Sequence, residues 1–553
     1  MNRLRLIKTA YTALACLMLT ACAGDELADG TVQDLPEGKY PLQISSVTMS
    51  AESTAEPWGA NVPQTRVSEN TNGNSSEWNG GEEITLQLSG TMADGKSYTA
   101  EGKYTIGSDK TSLTPVSGKE LYWHSTSEGT VTAWYSNYTN GNIVNLSDQS
   151  SGLAYVLATS PQTVQYDATD TQLTFTHQLA KVRVTLTGKT ASFVDNVSIK
   201  SYTACTLTQG ELSNGMNEGE IKMYKVADNI FEANVYPGYT IKEVKANNGA
   251  WSTLATSITP NAANIHKIKI EVTGGTTINL SEQTEDVYTV ERGKSLIING
   301  GGSSMNKRIV IKENAKVMLK DVVLAAPTSE VNTIEIQGTA MLLLSGTNEI
   351  KGSLGGCPLA VTSGTLTING TNNDNLTLIG GDGDNKHTGC LGLSYNANLI
   401  INGGYIVADG SKMSNGSGIG SYFTGWYDSS RCGSITINGG TIKASGGKKA
   451  AGIGTGGGSS LCICGDIIIT GGNIEATGNV DNTNVVGGAG IGSGSFGGCG
   501  NITISGENTV VTATANNQNC IGIGYNGNCG TVTIKAGATV NNTKYTEDHV
   551  GRI

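Results

Sequence analysis

Apolar and polar residues recur at a fixed spacing in the C-terminal half of the chain. Six copies of an apolar-x-apolar core end at isoleucines that are 33, 36, 32, 35 and 30 residues apart. KVMLKD, with Leu319, and AMLLLSG, with Leu344, extend this series upstream. Such a period indicates a solenoid, and alternation with a period of two indicates strands. The pattern predicts a right-handed parallel β-helix over residues 279–545 and a tail at 546–553. The six isoleucines are Ile368, Ile401, Ile437, Ile469, Ile504 and Ile534.

One coil can be read in full between Cys432 and Ile463. Residues 435–437 form an inward-facing strand, 438–440 a corner, 442–444 a second strand, and 451–454 a third side. The corners contain glycine, which adopts positive φ without a steric cost. Residues 281–553 hold 52 of the 75 glycines, which indicates a domain boundary near residue 280.

The region before this boundary alternates apolar and polar residues in short runs separated by turn residues. Strands at this spacing are typical of β-sandwiches. We therefore expect one sandwich over residues 61–188 and a second, smaller one over residues 189–278. With the solenoid, this makes the protein all-β. A formal net charge of −11 argues against nucleic acid and an anionic membrane surface as partners.

The first residues are typical of an exported lipoprotein. Arg3, Arg5 and Lys8 precede a short apolar run, and Leu19-Thr20-Ala21-Cys22 follows it. This arrangement predicts a signal peptide at 1–21, with Cys22 lipidated as the anchor in the outer membrane. An ordinary signal peptide with an incidental cysteine is the alternative. The polar residues 22–60 are expected to form a tether.

A series of motifs between residues 60 and 275 resembles the fimbrillin-like proteins of Bacteroidales. One departure is Gly81-Glu82, where the family often has Gly-Asp. In chain order the motifs are Thr65-Arg66, Trp78, Gly81-Glu82, Leu121–Trp123, Ala133–Tyr135, Leu173–Leu186, Ile221–Tyr224 and Val235–Pro237.

This resemblance implies export to the cell surface, cleavage by an arginine-specific protease, and assembly with other fimbrillin subunits by strand exchange. Arg66 is the cleavage point that it implies. Asp25, Glu26 and Asp29, just after the lipidation signal, resemble the acidic surface-export signals of Bacteroidales lipoproteins. The β-helix is not part of the family's pattern and resembles the carbohydrate-binding domains of bacterial surface proteins. The chain is thus expected to be an adhesin, as a fimbrillin-like anchor or a pilus-tip subunit.

One segment of the repeat is unusually aromatic and is the candidate glycan-binding site. Sister coils have small polar turns there. Exposed rings offer flat faces for sugars, and charged neighbours offer hydrogen bonds. The alternative is that the rings fold back over the solenoid. The candidate residues are Tyr422, Phe423, Trp426, Tyr427, Asp428 and Arg431.

A second segment has oxygen-bearing side chains at alternate positions. Asp382, Asp384 and Asn385 could ligate calcium, but a distal Glu at the proper spacing is missing. A polar turn is the alternative.

The remaining choice is between an adhesin and an enzyme. Many β-helices are polysaccharide lyases or glycoside hydrolases, which need clustered carboxylates or a carboxyl pair. The repeats carry Thr, Ser or Asn where such a face would need acids, which favours a non-catalytic protein. Four cysteines precede glycine at the start of coils and should stack as a column of thiols, with disulfides as the alternative. They are Cys432, Cys464, Cys499 and Cys529.

Overall fold

The protein consists of strands arranged in two compact units, Met1–Val272 and Thr273–Ile553. The computed structural model describes residues 31–49, 68–69, 76–247, 249–381, 389–394, 396–421, 431–458, 462–481, 486–515 and 519–553. Within these ranges the only helical elements are two 3-10 turns, Ala191–Phe193 and Leu280–Glu282. None of the described helices is long and apolar enough to cross a membrane. The predicted all-β fold is confirmed.

The first unit contains an eight-stranded sheet around its first core. The strand Gln162–Val164 pairs with Gly129–Ser136 beside the main path of the sheet. Along this path the strands are Ser46–Met49, Gln172–His177, Val156–Thr159, Gly129–Ser136, Glu83–Thr91, Ser97–Ile106 and Leu113–Pro115.

Two further sheets enclose the second core of this unit. One contains Tyr224–Ala227, Ile230–Val235, Ala180–Thr187 and Ile265–Glu271. The other contains Ser252–Ile258, Ile241–Ala246, Val197–Thr208, Ile143–Asn145 and Thr139–Asn140, with Glu211–Lys222 paired to Val197–Thr208. A short pair, Ser68–Glu69 and Ser76–Glu77, completes the described strands of the unit.

These sheets cross the sandwich boundary expected at residue 188. Ile143–Asn145 and Ala180–Thr187, which precede that position, belong to the sheets of the second core. Val144 and Val182 are fully buried there. The chain passes from one core to the other between Gln172–His177 and Ala180–Thr187. Two residues, Gln178 and Leu179, suffice for this crossing, which a pattern of alternation alone does not reveal.

The second unit is a parallel β-helix. Each coil adds one rung to three long sheets. The first contains Thr276–Asn279, Ser295–Asn299, Ala315–Lys320, Ala340–Ser345, Thr365–Asn369, Asn398–Ile401, Ile435–Ile437, Ile467–Ile469, Ile502–Ile504, Val532–Ile534 and His549–Val550. The second contains Val287–Val290, Arg308–Lys312, Ile334–Gln337, Leu359–Ser363, Leu391–Leu393, Ile419–Ser421, Ile453–Gly454, Ile491–Gly492 and Ile521–Gly522.

The third long sheet contains Ser304–Asn306, Val323–Ala325, Thr347–Lys351, Asn375–Ile379, Tyr405–Asp409, Thr441–Ser445, Asn473–Thr477, Val510–Thr514, Thr539–Val540 and Thr543–Lys544. Two small sheets complete the unit. They are Ile463–Cys464 with Gly498–Cys499 and Asn528–Cys529, and Val480–Asp481 with Val486–Gly487. The right-handed winding of the coils stays a prediction.

The isoleucine series sits in one inward-facing column, as predicted. Each of the six pairs in register with the next, from Ile368↔Ile401 to Ile504↔Ile534. The upstream extension was wrong by two residues: Ile368 pairs with Leu342, not with Leu344. AMLLLSG contains three consecutive leucines, so its sequence does not show which one aligns with Ile368. In the strand Ala340–Ser345 it is Leu342.

A second wall of the solenoid is built from stacked glycines and buried hydroxyls. Gly454 has φ +134°, and a Cβ there would lie 1.8 Å from the carbonyl oxygen of Gly492. Only glycine therefore fits between these coils. The next residue, Thr455, is fully buried, and its Oγ1 accepts a hydrogen bond of 2.7 Å from the N–H of Gly494. Ser421 and Ser493 accept from the next coil in the same way.

The cysteine column also forms as predicted. Cys464 pairs in register with Cys499, which pairs with Cys529. Cys432 donates its backbone N–H to the carbonyl of Ile463 at 2.9 Å, one rung earlier. Burial also raises the pKa of Cys462, two residues before Cys464, to about 12, so this neighbouring thiol is neutral near pH 7.

The C-terminal residues close the last coil. His549–Val550 pairs antiparallel with Val532–Ile534, and the N–H of Ile521 donates to the carbonyl of Ile553 at 2.9 Å. The residues expected to form a separate tail thus contribute to the sheets. An antiparallel closing strand blocks the addition of a further parallel rung, which protects the open edge.

The inward and outward positions of one rung allow a matched test of the solenoid core. Ile469→Asp should destabilise the second unit by several kcal/mol, because residue 469 is fully buried and the carboxylate has no partner there. Ile468→Asp is the control, since Ile468 points outward and is partly exposed. Limited proteolysis of the full chain reports the result.

We expect new cleavage in Ile469→Asp to be confined to the coils, with residues 76–272 still protected, since each coil contacts its neighbours. Equal damage from both variants would contradict the inward column. Digestion of both units together would contradict the division near residue 272.

Candidate functional site

Most residues that the sequence singled out lie outside the described residues. These are Cys22, Arg66, Asp382, Asp384, Asn385, Tyr422, Phe423, Trp426, Tyr427 and Asp428. Arg431 is described and exposed, and it forms a parallel bridge with Ile463. On the other side of the aromatic segment, Ser421 pairs with Leu393 and is buried. The two ends of this segment are thus fixed to the coils.

The structure instead reveals a site formed by the N-terminal segment 31–49. Its strand Ser46–Met49 pairs in parallel with Gln172–His177 at the end of the eight-stranded sheet, with Val47 opposite Leu173. This corrects the expectation of a tether over residues 22–60: the described part of that range is packed against the sandwich. The tether prediction gave weight to its polar composition and missed its apolar alternation.

Backbone hydrogen bonds hold the segment along its length. The N–H of Ser45 donates to the carbonyl of Thr171, and the N–H of Val47 donates to the carbonyl of Thr111, each at 2.8 Å. Thr171 directly precedes the strand Gln172–His177, and Thr111 lies just before Leu113–Pro115. The segment therefore satisfies backbone carbonyls next to two strands of the eight-stranded sheet, which would otherwise lose these donors.

Three apolar side chains of the segment fill the first core. Leu35, Leu42 and Val47 are 7%, 6% and 0% exposed. They belong to the same apolar cluster as Trp123 and Phe175. Removal of the segment would therefore expose both an apolar groove and an unpaired edge. A strand from another molecule could fill this groove and pair with this edge.

A sequence signal for this strand was present. Leu42 and Ile44 are separated by one residue, as are Val47 and Met49. Alternation of this kind is typical of a half-buried strand. It was not recognised because Pro, Ser and Ala residues surround it.

The motif Leu173–Leu186 contributes to a buried charged cluster on one sheet of the second core. Arg183 lies directly opposite Glu232 in the antiparallel pair, and its Nε donates to that carboxylate. Lys181 is fully buried, with its Nζ 3.2 Å from Glu232 Oε2. Loss of one partner would leave a buried charge, which typically costs about 3–5 kcal/mol. The cluster thus explains why Lys and Arg interrupt an otherwise apolar strand.

His177 lies in the same region and is 4% exposed. Burial and the nearby Lys181 ammonium hold the pKa of His177 well below its usual range. The imidazole is therefore neutral near pH 7. A neutral ring avoids adding a further positive charge to a region that already holds Lys181 and Arg183.

The described residues contain no group of three or more His, Cys, Asp or Glu side chains placed to hold a metal ion. The calcium candidate Asp382, Asp384 and Asn385 lies outside those residues and stays a prediction.

The fold defines an all-β protein in which a two-core sandwich unit precedes a solenoid. Residues 65–300 match the family model described as fimbrillin-like. This part of the chain is therefore fimbrillin-like, as the sequence motifs predicted. The match covers most of the first unit and the start of the second.

Several solved structures are similar to the chain. One is a protein from Bacteroides uniformis to which a role in cell adhesion is attributed, with 19% identity, 35% of this chain and 88% of that chain covered, and a TM-score of 0.29. Another, from Bacteroides ovatus and with the same attribution, has 10% identity, covers 42% and 92%, and has a TM-score of 0.30. A fimbrial protein from Bacteroides ovatus has 12% identity, covers 42% and 50%, and has a TM-score of 0.23. No curated protein matches the chain.

The buried histidine predicts a pH dependence of stability. Because the folded-state pKa of His177 lies below the unfolded value of about 6.5, the unfolded chain binds an extra proton below that pH. The free energy of unfolding should then fall by up to about 1.4 kcal/mol per pH unit between about pH 6.5 and 5. Urea titrations across this range measure it.

His177→Gln should remove this contribution, and carboxylates that are common to both proteins cancel in the difference between the two curves. Identical slopes for wild type and variant would contradict the neutral buried histidine.

Proposed function

We propose that the protein is a lipid-anchored adhesin of the outer membrane that assembles with other fimbrillin-type subunits and presents its β-helix to glycans. The observation that carries this proposal is the N-terminal segment 31–49. It lies upstream of Arg66 in a unit that is fimbrillin-like, and it fills that unit's first core. Cys22 is the proposed lipidation site, and Arg66 is the proposed cleavage site.

Cleavage after Arg66 would leave the N-terminal segment 31–49 attached by noncovalent contacts alone. A strand of a second subunit could then take its place, since it would restore the pairing of Ser46–Met49 and bury apolar side chains at the positions of Leu42 and Val47. In this proposal the N-terminal segment keeps the subunit from associating before it is cut.

The fimbrillin-like match favours a non-catalytic protein over the polysaccharide lyase or glycoside hydrolase that a β-helix can also be. Function then rests on the surfaces that the coils present. The aromatic segment containing Trp426 interrupts a repeat that is otherwise small and polar. We place glycan binding there, with Asp428 and Arg431 as hydrogen-bonding partners.

Cleavage of the full chain by an arginine-specific protease tests the assembly proposal. The cut protein should lose the segment and associate, whereas Arg66→Ala should stay intact and monomeric. Val47→Asp should speed the loss of the segment after cleavage. Residue 47 is fully buried, and a carboxylate there weakens the binding of the segment to the first core by several kcal/mol. Mass spectrometry and analytical ultracentrifugation follow both steps.

Thr48→Asp is the matched control, since Thr48 is the exposed neighbour in the same strand. Cut protein that has lost its segment and yet remains monomeric, alone and with other fimbrillin subunits, would overturn the strand-exchange proposal.

The glycan proposal predicts that Trp426→Ala weakens binding by about 1–3 kcal/mol, as for loss of an aromatic contact in a binding hot spot. The melting temperature should barely change if the ring is exposed. A glycan array followed by calorimetry measures affinity, and differential scanning calorimetry measures stability. Lost stability with binding altered only as far as the fold is would instead identify the ring as a cover of the solenoid.

A further inference from the structure

We propose that a groove on the outer face of the eight-stranded sheet binds a neutral oligosaccharide. The groove has a volume of about 1050 Å³, slightly above the usual range for ligand sites of about 300–1,000 Å³. It is lined by residues between 80 and 209, all within the first unit. This site is separate from the aromatic segment near Trp426 and does not depend on it.

Three neighbouring strands form the floor of the groove. Lys103 lies opposite Thr85 in one strand pair, and Thr85 lies opposite Trp134 in the next. Two strand spacings separate Lys103 from Trp134 by about 10 Å along the sheet. The inward neighbours Ile84 and Ala133 are buried in the first core, so the strands that carry the floor are held in place.

Trp134 provides an aromatic surface whose position is fixed. Trp134 is partly exposed and packs against the second core. The turn at Gln209–Gly210 presses against the base of the side chain: a Cβ at Gly210 would lie 3.3 Å from Trp134 Cβ and 3.1 Å from Ala158 Cβ. With φ +88°, Gly210 allows an approach that another residue would hinder. A ring held in advance loses little entropy on binding.

Gly80, Gly81 and Glu82 also line the groove, in the turn before the strand Glu83–Thr91. The Glu82 carboxylate accepts hydrogen bonds from the backbone N–H groups of Asn79 and Gly80, each at 2.9 Å. These bonds hold the turn closed, and this turn and the one at Gln209 both line the groove.

The polar lining suits the hydroxyl groups of sugars. Gln87 Nε2 donates to Glu101 Oε1 at 3.0 Å, which orients this carboxylate at the groove. Lys103 pairs with Glu83 beside it. Ser136 and Thr139 add hydroxyls. Carboxylates accept from sugar hydroxyls, ammonium groups donate to them, and an indole face stacks on the apolar C–H face of a pyranose.

The charges and the apolar side chains that line the groove exclude several classes of ligand. The groove is lined by three carboxylates, Glu82, Glu83 and Glu101, and one ammonium, Lys103, a balance of −2. This field repels uronates, sulfated sugars and other polyanions. Leu207 is the one aliphatic side chain among the lining residues, and it is 8% exposed. An apolar peptide or a lipid would find little to bury there, which leaves a neutral oligosaccharide.

The test compares full-length variants on an array of neutral and acidic oligosaccharides. Trp134→Ala should lose a set of neutral-glycan signals that Trp251→Ala retains. Trp251 is the control because it is also a partly exposed tryptophan of the first unit. Calorimetry with the strongest neutral oligosaccharide should show a Kd raised about tenfold or more in Trp134→Ala.

Trp426→Ala separates this site from the proposed site on the β-helix, since it should leave the Trp134-dependent signals intact. Thr85→Tyr provides a second variant. It fills the floor without removing the packing of Trp134, and tyrosine is well accommodated in strands. It should abolish the same signals even if Trp134→Ala fails to fold.

Three results would overturn the proposal. One is an array in which no signal depends on Trp134 or is blocked by Thr85→Tyr. Another is dependence on these residues for acidic glycans only. The third is competition for the groove by extended peptides, with no effect of neutral oligosaccharides, which would make the groove a peptide site.

Discussion

Every strand of this protein relies on a neighbouring strand to satisfy the hydrogen bonds of its backbone. In the solenoid the neighbour is the next coil, and the last rung is closed by the antiparallel strand His549–Val550. In the first unit the neighbour at the end of the sheet is the protein's own N-terminal strand, Ser46–Met49. The two solutions differ in permanence. A coil is continuous with its neighbours, whereas the strand Ser46–Met49 pairs with a strand that is distant from it in sequence.

Close stacking of coils restricts the sequence more than apolar burial alone does. At the Gly454 position the next carbonyl lies where a Cβ would stand, so bulk is excluded. Thr455 then replaces an apolar residue and accepts the N–H of Gly494. Ser421 and Ser493 accept the N–H groups of Gly456 and Gly524 in the same way, as expected if buried polar groups must be paired.

Features that repeat along the chain could be predicted from the sequence, whereas features formed by distant segments could not. The solenoid register was predictable because Ile368 to Ile534 recur in a single column, and errors began where AMLLLSG offered two equivalent leucines, Leu342 and Leu344. The packing of residues 42–49 against the sheet was not predicted, because the strands Ser46–Met49 and Gln172–His177 are more than a hundred residues apart in the sequence. The groove beside Trp134 was also missed. It exists because strands and turns that are distant in sequence converge, which no local pattern records.

The need to pair backbone hydrogen-bonding groups distinguishes two kinds of binding surface on the first unit. The edge beside Gln172–His177 offers backbone groups and apolar pockets, so it selects an extended strand with little regard to most side chains. The face that carries Thr85 and Trp134 has its backbone groups already paired within the sheet. Such a face offers side chains only, and its selectivity comes from their chemistry. Replacement of the strand at the edge would therefore leave the pairing of the strands under the face intact, so that assembly and ligand binding could occur in one subunit.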